Sequence, residues 1–274
     1  MITIFTIPKP FQGHINIIQR NAIQSWLQLQ PRCEVILFGN DKGVAETAKE
    51  FGVKYIPEIK KNEFNTPLLD SAFNLAQKLA RNDILVYINA DIILMSDFIP
   101  AIQQVRFPLF LINGRRWDLD IKEEINFNDP DWEKKLREEI FKKGKLHGFS
   151  GIDYFVFPRN LFHDFPPFAV GRPGWDNWLL FYLKKRKIPI IDATPAITVI
   201  HQSHPSKYRA RDKESQENIK LAGGLTNMIT LRESDWILTK EGLKKLPLLR
   251  RIWSKLVEFY PVRLFLALKR SLFY

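Results

Sequence analysis

Short unbroken apolar runs alternate with stretches in which apolar residues recur every third or fourth position. Ile2–Ile7 reads as a buried strand, stopped by Pro8-Lys9-Pro10. Ile15, Ile18, Ala22, Trp26 and Leu29 follow at helical spacing, and Pro31 closes that helix. Cys33–Phe38 predicts a second strand, ending in Gly39-Asn40-Asp41. A short helix from Val44 to Phe51 is stopped by Gly52, and Val53–Ile56 is a third strand. Thr66-Pro67 predicts an N-cap with proline at the first helical position. Leu69, Ala72, Phe73, Ala76 and Ala80 give that helix its apolar face. The run Ile84–Leu94, broken only by Asn89 and Asp91, predicts one strand buried on both faces. This alternation of strand and helix predicts a parallel, doubly wound α/β sheet.

The second half is less regular. Ser96 is placed to cap a short helix through Val105, and Phe107–Ile112 reads as a strand. Trp132, Leu136, Ile140 and Phe141 mark a surface helix within 129–143. Asp153–Phe157 is a strand ended by Pro158, and the Pro- and Gly-rich 165–174 is loop. Trp175–Lys185 is a helix, and Ile188–Ile191 and Ile197–His201 are short strands. Ser203–Lys213 reads as polar loop and Glu214–Leu221 as helix. Leu248, Leu249, Ile252, Trp253, Leu256, Val257 and Phe259 form the apolar stripe of an amphipathic helix, and 262–274 continues in the same basic, aromatic style. Residues 1–231 are therefore expected to form one domain, and 232–274 a helical, basic amphipathic region.

Charge sharpens this division. The 274-residue chain carries a net charge of +11, and 244–274 holds eight Lys/Arg against Glu258 alone. Such a balance suits phosphates, an anionic membrane surface or nucleic acid. A nucleic-acid binder would spread its positive residues over the sheet domain, and here they gather in the tail. Trp253, Phe259 and Tyr260 suit an anionic membrane interface; the alternative is a stripe packed against the domain. The lone cysteine, Cys33, excludes an intrachain disulfide and is expected in the core. Neither a signal-peptide pattern nor a membrane-spanning run is read, so a cytoplasmic, peripherally membrane-associated protein is expected.

Asn89 and Asp91 stand where a central strand should end, the place where open α/β sheets bind ligands. Two oxygen-bearing side chains there suit a hard divalent cation, which could carry a diphosphate. The alternative is that Asp91 caps the next turn.

The order of these features resembles the GT-A type of nucleotide-sugar glycosyltransferase (family-2-like). Those features are a strand ending in Pro8, a second ending at Asn40-Asp41, a helix opening at 65–70, and Asn89-Ala90-Asp91 closing a buried strand. The similarity covers roughly residues 1–204. It implies a Rossmann-like mixed sheet flanked by helices, with the basic helical appendage at the C-terminus. It implies a metal-dependent transferase that moves a sugar from a UDP- or GDP-linked donor to a saccharide or lipid-linked acceptor. The pathway implied is polysaccharide or glycolipid synthesis.

The family's Asp-x-Asp motif holds Mn²⁺ or Mg²⁺, and here its first Asp is replaced by Asn89. The resemblance makes Asp91 a metal ligand with His201 completing the site and His204 behind it, puts Pro8, Asp41 and Asp70 on the donor, and has Asn89 touch donor ribose or metal; the alternatives are a backbone-bonded His201, turn chemistry at Asp41 and a solvated helix face for Asp70. Asp176, opening a helix after Gly171-Arg172-Pro173-Gly174-Trp175, matches the general base of an inverting transfer; the alternative is a helix cap. Trp175, Arg172, Asp153 and Tyr154 become acceptor contacts, each with a structural alternative. Arg115 and Arg116 could grip phosphate or lie in a solvated loop. Lys9, His14 and His163 suggest only surface or turn. A sugar nucleotidyltransferase would instead open with a Gly-rich loop after the first strand, where this chain has one glycine, Gly13.

Overall fold

The computed structural model describes residues 1–205 and 212–271. The middle of the predicted 203–213 loop and the last residues of the tail lie outside the described residues.

The first half follows β1 (Ile2–Thr6), α1 (Gly13–Leu27), β2 (Glu34–Phe38), α2 (Val44–Phe51), β3 (Lys54–Ile56), α3 (Leu69–Leu79), β4 (Ile84–Ile88), β5 (Ile92–Leu94), α4 (Phe98–Ile102) and β6 (Leu111–Asn113). There follow β7 (Trp117–Leu119), α5 (Trp132–Lys143), β8 (Lys145–Leu146), β9 (Tyr154–Pro158), α6 (Trp175–Lys185), β10 (Ile190–Asp192), β11 (Val199–Gln202) and α7 (Lys213–Leu221). The chain ends with β12 (Trp236–Thr239), β13 (Gly242–Lys245), α8 (Leu248–Leu256) and α9 (Tyr260–Ser271).

Nine strands form one sheet in the order β13-β12-β10-β6-β9-β4-β1-β2-β3. β4, β1, β2 and β3 run parallel, as the alternation predicts. β9 enters antiparallel between β4 and β6, so the sheet is mixed and not purely parallel. Residues alternate between its faces: Val86 and Ile88 join one core cluster, Leu85 and Tyr87 the other. On the second face Phe73 stacks on Phe165 and Phe157, with ring centroids 4.4 and 5.5 Å apart. Cys33 is a buried core residue, and burial pushes its thiol up to about 12.

Four expectations are corrected. Ile84–Leu94 is two strands, because the chain turns at 89–91: Asn89 N donates to Asp153 O and Ile92 N to Asn89 O. β5 leaves for a second, four-stranded sheet, β5-β11-β7-β8, in which β7 and β8 have no apolar run to announce them. Thr66-Pro67 does not cap α3. Thr66 N donates to the Asn62 side chain, Pro67 bridges Lys61, and the helix opens after extended Leu68. Ser96 does not cap α4; its hydroxyl donates to Glu133 and Asp97 precedes the helix. Finally, 232–274 is not helical throughout, since β12 and β13 form a hairpin that extends the large sheet beside β10.

Candidate active site

The small sheet assembles the site. His201 on β11 pairs in register with Ile92 of β5 on one side and with Asp118 of β7 on the other. Asp91, one residue before β5, thereby comes close to two histidines. Its Oδ2 stands 3.0 Å from His204 Nε2 and 3.9 Å from His201 Nε2.

Asp118 orients the first of these. Its Oδ1 lies 3.1 Å from His201 Nδ1 and its Oδ2 2.8 Å from His147 Nδ1. A carboxylate on Nδ1 holds a proton there and turns Nε2, the nitrogen that would meet a metal, toward Asp91. Burial is the largest influence on His201 and lowers its pKa. His204 Nδ1 faces the Pro205 carbonyl at 3.1 Å, and its Nε2 is turned to Asp91.

These atoms fit a divalent cation. One ligand atom each from Asp91, His201 and His204 lies within 4.8 Å of the others. Adjacent ligands about 2.1 Å from an octahedral ion stand about 3 Å apart, and a carboxylate with imidazoles suits Mn²⁺. Asp91 Oδ1 is buried with no hydrogen-bond partner, a cost that a cation would remove. Burial works against the Asp91 charge, yet the His204 hydrogen bond and the neighbouring His201 and Lys9 hold its carboxyl down at about 2.

Asn89 is half-buried and donates to Asp153 Oδ1 at 2.6 Å. Asp153 is itself buried and also pairs with Arg116, which bonds Asp118 at 3.0 Å. Arg116 therefore ties the Asn89 turn to the histidine-orienting carboxylate and is not free to grip phosphate. Asp153, read as an acceptor contact, spends its carboxylate on this network.

Asp176 lies in the first turn of α6 and accepts from Asn177 N at 2.8 Å. Burial, with Asp153 nearby, raises its carboxyl to about 6. Trp175 and Tyr154 are corrected to core residues. Trp175 packs between Tyr87 and Phe155, and Tyr154 is fully buried against Phe98. Arg172 pairs with Glu214 and so braces the start of α7. Pro8 follows β1, and the next residue, Lys9, brings Nζ to 3.5 Å from His204. Asp41 follows β2 and faces Lys61 at 3.6 Å. Asp70 opens α3 with one buried oxygen unpartnered. All three stand beyond the carboxyl ends of parallel strands or at the start of the helix beside them.

A mannosyltransferase from Pyrobaculum calidifontis, solved with GDP-Man and Mn²⁺, superposes with a TM-score of 0.50 at 13% identity. The alignment covers 81% of this chain and 62% of that one. The chain has a GT-A fold. Two further likenesses are weaker. Glucosyl-3-phosphoglycerate synthase of M. tuberculosis gives 15% identity and a TM-score of 0.46, over 82% of this chain and 81% of that chain. GalNAc-T7 with UDP, GalNAc and Mn²⁺ gives 14% and 0.48, over 81% and 48%. In sequence, no protein-family model and no curated protein matches.

Sequence reasoning missed Asp118, His147 and Lys9. Asp118 could have been suspected only from its place in a strand too short to read. Lys9 carried a usable signal, a cation directly after the first strand.

Proposed function

We propose that this protein is a glycosyltransferase that uses a nucleoside-diphosphate sugar and a divalent cation, with inversion at the anomeric carbon. The observation that carries this reading is the convergence of Asp91, His201 and His204 at the end of β4, on a GT-A fold. Asp91, His201 and His204 would hold Mn²⁺ or Mg²⁺, and Asp118 and Asn89 would keep that set in place. When bound, the ion supplies charge neutralisation for the donor diphosphate. Lys9 adds a positive charge beside it. Pro8, Asp41 and Asp70 lie where the nucleoside would rest.

Asp176 has the properties of the base. At neutral pH it is ionised, and its raised pKa makes it a better proton acceptor than an exposed aspartate. The acceptor hydroxyl oxygen bonds to the anomeric carbon, the bond to the diphosphate breaks with its electron pair leaving on phosphate, and Asp176 takes the hydroxyl proton.

The acceptor is proposed to be met at a membrane. α8 and α9 pack inward through Trp253, Val257, Val262 and Leu266. Outward they present Leu248, Leu249, Ile252, Leu256, Phe259 and Leu264, all exposed, beside Arg251 and Lys255. An apolar stripe flanked by cations suits an anionic bilayer surface. No helix among the described residues is long and apolar enough to cross a membrane.

Calorimetric titration with UDP, GDP and CMP, with and without Mn²⁺, tests the central reading. One nucleotide is expected to bind only with metal, and Asp91→Asn to lose that binding. Nucleotide binding indifferent to both metal and Asp91 would refute it. Flotation with anionic vesicles tests the surface: Leu249→Ser with Ile252→Ser should release the protein, and a wild-type protein that ignores vesicles or self-associates through this face would refute membrane docking.

A further inference from the structure

Three arginines from distant parts of the chain converge on one aromatic ring. The guanidinium carbons of Arg115, Arg250 and Arg232 lie 4.7, 5.2 and 5.4 Å from the centre of the Phe149 ring. Three like charges sharing one ring repel one another, a cost that an anion would offset, and only part of the charge is met internally. Arg250 is held by Asp192 at 3.2 Å and by Leu231 O at 3.0 Å. Glu233, also nearby, is buried and spends its carboxylate on Trp253 Nε1 and on Thr230. Arg115 donates Nε to His147 O at 2.6 Å, and Arg232 is exposed; neither has a carboxylate partner among the described residues.

Phe149 and Arg232 line an open cleft of about 350 Å³, together with Ser150, Thr230, Trp253, Leu266 and Glu233, whose carboxylate is turned to Trp253 and Thr230. The cleft stands between the candidate active site and the exposed tail helices. On one side, the 147–151 loop reaches Asp118 through His147, and Asp118 orients His201. On the other, Trp253 belongs to α8 and Leu266 to α9.

We propose that this cleft is a phosphate-binding subsite, with Arg232 meeting the phosphate at its rim and Arg115, stacked on the same Phe149 ring, adding positive charge, and that the acceptor is therefore a phosphate-bearing molecule. A guanidinium matches phosphate oxygens through two parallel hydrogen bonds, and the ring keeps the Arg232 fork extended and stacked. The apolar side of the cleft, Trp253 and Leu266, would take the hydrocarbon next to the phosphate. This assignment rests on the transferase reading for the word acceptor, while the phosphate site itself stands apart from it. The same chemistry fits a soluble phosphate ester or a lipid phosphate at the bilayer.

The test is binding of glycerol 3-phosphate to the full chain, followed by tryptophan fluorescence without divalent metal so that the candidate cation site takes no part. Saturable binding is expected, weakened about tenfold in Arg232→Gln, the loss of one charge-assisted hydrogen bond. Lys142→Gln removes an equal charge from α5 and should change nothing. Phe149→Leu should weaken binding while Arg232 remains. In parallel, phosphatidylcholine vesicles with phosphatidic acid are compared with phosphatidylcholine alone. Arg232-dependent vesicle binding displaced by glycerol 3-phosphate assigns the site to lipid phosphate. Arg232-dependent binding of glycerol 3-phosphate with vesicle binding indifferent to Arg232 assigns it to a soluble ester. If neither probe responds to Arg232→Gln or Phe149→Leu, the subsite is refuted. Metal-dependent nucleotide binding measured on the same variants shows separately whether the transferase reading survives.

Discussion

Replacing Asp176 by Asn should stabilise the fold while removing catalysis. The carboxyl is held at about 6 against an ordinary 3.8, chiefly by burial. At 1.36 kcal/mol per pH unit, that gap corresponds to about 3 kcal/mol of strain on the charged form. Asp176 keeps partial contact with solvent, and a buried amide also loses hydration, so about 1–1.5 kcal/mol is the expected net gain. The Asn177 N–H bond survives, because the Asn side chain still offers a carbonyl oxygen. The sign follows from linkage. The folded-state pKa lies above the unfolded one, so the native carboxylate is penalised fully above pH 6 and not at all below pH 4. Thermal unfolding at pH 7.5 should therefore show a rise of about 2–5 °C for Asp176→Asn, shrinking to nothing near pH 4. Transfer activity should fall at least a hundredfold with nucleotide binding retained. A variant that is less stable at pH 7.5 would mean that Asp176 is a helix cap whose charge the fold needs, and one equally stabilised at both pH values would mean that the gain does not come from removing a penalised carboxylate.

Other outcomes follow from the same geometry. Asp118→Asn leaves the three ligand atoms in place but loosens His201, so Mn²⁺ affinity should fall about 10- to 100-fold by electron paramagnetic titration; unchanged affinity would remove Asp118 from the site. Phe73→Ala empties the centre of the aromatic stack and should cost about 3–5 kcal/mol in urea unfolding. Gly43→Ala places a Cβ 2.7 Å from Phe11 Cβ at a φ of +85°, so a loss of about 1–3 kcal/mol is expected, with Gly52→Ala milder because nothing lies within 4 Å there.

The parts of the fold that were legible in the sequence are those whose signals are local. α2 ends at Gly52 because the chain needs a left-handed residue there, and α6 spans the predicted Trp175–Lys185. Residues 89–91 were legible as chemistry but not as a turn, since apolar residues continue on both sides and only the pairing of β5 with β11 separates the two strands. The hairpin 236–245 escaped because Lys244 and Lys245 sit on an exposed edge strand, where charge is common and alternation is blurred. Asp118 was illegible for another reason. Its value depends on register with His201, 83 residues away, and nothing near it in sequence reports that register.

The site separates its carboxylates by environment, and that separation suits them to different work in the proposed transfer. Asp91 and Asp176 are both withdrawn from solvent, and burial alone would raise both. Asp91 is surrounded by His201, His204 and Lys9, which hold it ionised at about 2 and suit it to permanent charge beside a cation. Asp176 faces Asp153 and has only backbone N–H groups in its favour, which leaves it near 6 and suited to receive a proton. Arg116 is committed to Asp153 and Asp118, and no cation contributes to the shift of Asp176. If Asp176 is the proton acceptor, transfer at saturating donor and Mn²⁺ should lose activity as pH falls through about 6. A rate that is flat across pH 5–7 with saturating donor would separate Asp176 from the chemical step.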